Sequence, residues 1–95
     1  MAAVTAPNDR AAQAHCSDAV ARHLAGDAKG AIALYRKALA SDPGLAEACN
    51  NLATLYASRG EEGEAERLLE RAVTLKPDYG EAHNNIGLMR ATRGD

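Results

Sequence analysis

The sequence has no tryptophan and no phenylalanine, and three tyrosines are its only aromatic residues. Its core must therefore be built from Ala, Leu and Val, and in a chain of 95 residues such a core gives modest stability and room for one small domain. Cysteine is scarce too. Cys16 and Cys49 lie far apart inside helical patterns, without a disulfide-framework spacing, so a reducing cytoplasm is the simpler setting. Neither sign of charge dominates: the formal net charge is -2, which gives no electrostatic case for nucleic acid or for an anionic membrane surface. No apolar run is long enough to span a bilayer. The first ten residues lack both a basic start and an apolar stretch, so no signal peptide is expected.

What the chain does have is a period of 34. Gly26, Gly60 and Gly94 are in step, as are Pro43 and Pro77, Ala31 and Ala65, and Ala38 and Ala72. The copying is closest after residue 46, where Glu47, Ala48, Asn50, Asn51 and Leu52 return as Glu81, Ala82, Asn84, Asn85 and Ile86. A fixed period of this length marks a repeat architecture. The unit, residues 46–79, reads as helix, turn, helix. Cys49, Leu52, Ala53 and Tyr56 fall at three- and four-residue steps on one face. Gly60 stands where a left-handed cap is needed. Glu61, Glu62 and Glu64 crowd the start of a second helix, where carboxylates favour the positive end of the dipole. Ala65, Leu68, Leu69, Ala72, Val73 and Leu75 give its buried stripe, and Pro77 stops it.

These residues resemble the tetratricopeptide repeat family. Leu52, Ala53, Tyr56, Ala65, Leu69, Ala72 and Pro77 match its pattern position for position, with Cys49 in the place often held by tryptophan. The small residues have a physical role: they let the two helices of a hairpin approach closely. The resemblance implies an all-α fold, a right-handed superhelical stack of antiparallel hairpins with about two and a half units and five helices. The expected divisions are a disordered leader at 1–9, a first repeat at 12–45, a second at 46–79, and at 80–95 the first helix of a third repeat or a capping helix.

Along the chain, Asn8 or Asp9 is positioned to cap a first helix at about 10–25. That helix is a poor copy. Asp18 stands where Leu52 stands and Arg22 where Tyr56 stands, while Cys16, Val20 and Leu24 form an apolar stripe at four-residue steps. Either the helix is rotated, or it is an end helix whose outer side tolerates charge; the second is favoured. The helix that follows is typical: Asp27 can be its N-cap, and Ala31, Leu34, Tyr35, Ala38 and Leu39 give the stripe. Ser41 replaces Leu75 and should loosen its last turn. In the last helix Ile86, Gly87 and Met89 stand at packing positions with no second helix to cover them. A cap, a cut end and a surface that pairs with another copy are all open readings.

Family resemblance puts the first helix of each repeat on the inside of the superhelix, so Asn50, Asn51, Thr54, Ser58, Asn84, Asn85, Leu88 and Thr92 look toward a groove. Cys16, Val20, His23 and Leu24 hold the matching positions of the first helix. An asparagine amide offers donors and an acceptor, so a ladder of amides can hold a peptide backbone without reading its side chains. The Asn-Asn pair is similar to that in the repeat arrays of O-linked N-acetylglucosamine transferases. Asn51 and Asn85 are equally open to a second role, bonding between repeats. Asn50 and Asn84 lean toward the groove. The subclass that clamps a chaperone's carboxylate tail is set aside, because Cys16, Glu81 and Asn85 hold its lysine and arginine positions.

No cofactor or metal is expected. His15, Cys49 and His83 share a repeat position, but successive repeats stand about 10 Å apart, far beyond the roughly 2.0–2.3 Å bonds of a zinc site. Glu61, Glu62, Glu64 and Glu66 read as a solvated helix start rather than an acid/base pair. No serine or cysteine is placed with a histidine as a nucleophile would require. The expectation is a non-catalytic, cytoplasmic scaffold that binds a protein or peptide partner, not nucleic acid or membrane. Two alternatives stand beside it: self-assembly through Ile86, Leu88 and Met89, and a docking segment of a larger enzyme.

Overall fold

A computed structural model describes residues 7–94, with side chains from residue 10. Among these residues there are five helices: α1 (Pro7–Leu24), α2 (Ala28–Ser41), α3 (Ala46–Ser58), α4 (Glu62–Leu75) and α5 (Gly80–Arg93). Each packs on the next, α1 with α2 and α3 with α4 most extensively, and the hairpins stack through α2 on α3 and α4 on α5. The result is an elongated body of 50 × 30 × 18 Å.

The period of 34 is visible first in the turns. Gly26, Gly60 and Gly94 have φ of 86°, 81° and 85°. This left-handed conformation closes a helix and is strained for any residue with a Cβ. The other turn is made differently. The backbone amides of Asp42 and Lys76 donate to Ala38 and Ala72 carbonyls at 2.8 and 2.9 Å, and Pro43 and Pro77 follow directly. Asp27 caps α2 as expected, its carboxylate accepting from the Gly30 amide and from Arg22, both at 2.9 Å.

Two apolar clusters form the core, and α3 contributes to both. Ala19, Ala31 and Tyr35 join Ala48, Leu52 and Leu55 on one side of α3. Cys49 and Ala53 join Ala65, Leu69, Ala72 and Ala82 on the other. The alanines of the close crossing, Ala19 with Ala31 and Ala53 with Ala65, are all fully buried. Leu52, Leu55 and Leu69 are almost fully buried among them, each worth about 1.5–3 kcal/mol on burial.

Of three local expectations two change, and the favoured reading of α1 as an unrotated end helix holds. α1 is already helical at Pro7, ahead of the expected start near residue 10. Asn8 and Asp9 are therefore helical rather than capping, and of the expected leader residues 1–6 lie outside the described residues. Second, Ala12 and Ala19 are buried while Val20 and Leu24 are exposed, so α1 is not rotated. It packs through the same register as α3 and leaves Asp18 and Arg22 to solvent, as an end helix does. Third, α2 runs through Ser41, and Leu75 at the matching place is 43% exposed, so little packing is lost there.

Candidate functional site

Because α1, α3 and α5 occupy the same place in successive hairpins, residues 34 apart fall into rows across them. Val20, Thr54 and Leu88 make one row, and Leu24, Ser58 and Thr92 another; all six are exposed. Leu24 and Leu88, at 83% and 58% exposure, are the most open large apolar side chains among the described residues. His23 and Asn84 are exposed beside the rows, and Cys16 is half-buried.

The asparagines divide. Asn50 is fully buried, which corrects the expectation that it leans toward the groove. Its Oδ1 accepts a hydrogen bond from Asn85 Nδ2 at 2.9 Å, joining α3 to α5. Its own Nδ2 has no hydrogen-bond partner among the described residues. Asn51 and Asn85 are half-buried. Burial raises the pKa of the Tyr35 hydroxyl, and the Asn51 amide draws it partly back. Tyr79 is raised likewise, by burial first and then by Glu81 and Glu47.

A cleft of about 270 Å³ opens between α3, α4 and α5, with Thr54, Asn85, Leu88 and Thr92 along its rim and Ala53, Ala57 and Leu69 deeper on its walls. The hydroxyls of Thr54 and Thr92 donate back to their own helices, to the carbonyls of Asn51 at 2.8 Å and Leu88 at 2.9 Å. Sequence reasoning put neither Met89 nor Glu62 in the cleft. Met89 and Ile86, expected at packing positions with no second helix to cover them, are half-buried against the α3–α4 core, which leaves Leu88 alone of the three exposed. Glu62 was grouped with a solvated run; Glu61 and Glu64 are exposed, but Glu62 is half-buried on the cleft wall. Its position at the first residue of α4, one turn before Glu66 on the same face, was the available signal.

Elsewhere, Cys49 is buried in the core and burial raises its pKa. His83 Nε2 lies 2.8 Å from the Pro77 carbonyl. Among the described residues no three metal-ligating side chains come together. No described helix is long and apolar enough to cross a membrane.

Comparison with known proteins accords with this geometry. No curated protein matches the chain. Two crystal structures of MamA do: one is 27% identical with a TM-score of 0.84 over 88% of this chain, the other 26% identical with a TM-score of 0.83 over 93%. The chain spans about half the length of each, 49% and 48%. A model of the tetratricopeptide repeat matches residues 22–86, more than half of the chain, and the protein belongs to the tetratricopeptide repeat family.

Proposed function

We propose that the chain is a non-catalytic scaffold whose concave face, built by α1, α3 and α5, receives an extended or helical segment of a protein partner. Repeats of this family are in general protein-interaction modules. The finer reading rests on one observation: Leu88 is 58% exposed at the rim of a cleft and has no core to fill. With Val20, Leu24, Thr54 and Asn85 it makes a mixed apolar and amide surface, suited to main-chain and side-chain contacts at once. Asn51 and Asn84 border that surface and His23 extends it; Asn50 is left out. The repeats divide at 12–45, 46–79 and 80–95 in this reading. The free cysteines Cys16 and Cys49 fit a reducing compartment such as the cytoplasm.

Self-assembly through α5 has less apolar surface behind it, since Ile86 and Met89 already face inward. A docking segment of a larger enzyme would use the same groove. The test is partner capture by the full chain and by variants in exposed positions. Leu88→Asp and Val20→Asp should each lose the captured proteins, while Arg36→Glu on exposed α2 surface keeps them. Capture of the same proteins by Leu88→Asp at unchanged helicity would end the groove reading.

A further inference from the structure

We propose that the occupant of this groove carries a lysine or arginine whose side chain enters the cleft between α3 and α5 and ends on Glu62. This rests on the groove reading above and specifies what the groove selects. The first argument is size. At about 270 Å³ the cleft falls below the roughly 300–1,000 Å³ of ligand pockets, which suits one long side chain better than a cofactor.

The second argument is the chemistry left on the walls. Thr54 and Thr92 have each committed their hydroxyl proton to a backbone carbonyl, so toward the cleft they present lone pairs. Asn85 has given one amide proton to Asn50, and its Oδ1 is unused. Glu62 adds a carboxylate. The cleft is therefore rich in acceptors and bears negative charge, and it favours an occupant that brings donors and a positive charge.

Glu62 also differs from its neighbours. On the same face one turn further along α4, Glu66 is engaged by Arg93 of α5, at 2.7 and 3.5 Å. Glu61 pairs with Arg59 and Glu64 with Arg67. No cation among the described residues pairs with Glu62. The positive end of the α4 dipole favours negative charge at this position but supplies no counter-ion. When a partner covers the groove, a half-buried carboxylate loses solvent and then requires a cation or a proton. The remaining walls, Ala57, Leu88 and Met89, are apolar and match a methylene stem, which lysine and arginine bury while the charged head reaches a polar site.

The experiment titrates the isotope-labelled full chain with three short extended peptides, identical except for lysine, norleucine or glutamate at the central position. The lysine peptide should shift the amides of Thr54, Asn85, Leu88 and Thr92 and bind at least about tenfold more tightly than the norleucine peptide. Glu62→Gln should erase that preference, and Glu62→Lys should turn it toward the glutamate peptide. Among the described residues Glu62 forms no hydrogen bond or ion pair, so both variants should retain the helicity of the parent, checked by circular dichroism. Equal binding of the lysine and norleucine peptides, or a lysine preference that survives Glu62→Gln, overturns the inference and leaves the groove standing. If none of the three peptides shifts those amides, both the inference and the groove reading fall.

Discussion

At the scale of single residues, the same amino acid does opposite work at matching places. Glycine at Gly26 and Gly60 is required by a positive φ. Gly87 is not in that position: it lies inside α5, is exposed, and a Cβ built on it would meet nothing within 4 Å. Its counterparts Ala19 and Ala53 are fully buried where two helices cross, so Gly87 occupies a close-crossing position that no described helix covers. The unfolded chain loses freedom when glycine becomes alanine, and the helix gains propensity. Gly87→Ala should therefore raise unfolding stability by about 0.5–1 kcal/mol, measured by urea denaturation. A loss instead would mean that something packs tightly on that position in solution.

At the scale of elements, the tie between α3 and α5 is a buried amide pair, and it sets what mutation of the groove reports. Asn85→Ala removes the donor to Asn50 and leaves a fully buried amide with no partner at either end. The cost should be about 1–3 kcal/mol, before any effect on binding. Asn50→Ala removes the stranded group, so the double variant should cost clearly less than the two singles added. Additive losses in denaturation would show that the bond contributes nothing. This is also where sequence reading stopped. The five helices and their turns were legible, because glycines 34 apart and a three- and four-residue apolar rhythm depend only on local conformation. Whether Asn50 or Asn51 points inward depends on how one hairpin rotates against the next. The two are adjacent, about 100° apart on the helix, and no local pattern fixes that rotation. The same limit puts Glu62 in solvent, since it owes its burial to helices from other parts of the repeat. α1 was legible only as a poor copy, and Ala19 in the register of Ala53 was the residue that decided its orientation.

At the scale of the molecule, burial favours the neutral form of four ionisable groups among the described residues. Burial is the leading cause of a raised pKa at Cys16, Cys49, Tyr35 and Tyr79. A group whose folded pKa is raised contributes its full stabilisation below its ordinary value, 9.0 for the thiols and 10.0 for the phenols, and loses it as pH rises through the folded value. Stability should therefore fall steadily between about pH 8 and about pH 11, and Tyr35→Phe should flatten the upper part of that decline; an unchanged slope would exclude Tyr35 as a contributor. The Asn50–Asn85 bond has a counterpart one repeat earlier, where Cys16 and Asn51 hold the matching places and no hydrogen bond joins them. The second and third hairpins are thus tied by an amide pair, while the first and second meet through the apolar cluster around Leu52 and through Asn51, whose amide acts on Tyr35. Parting α3 from α5 therefore has to break a buried amide pair, a cost that the joint between α1 and α3 does not carry.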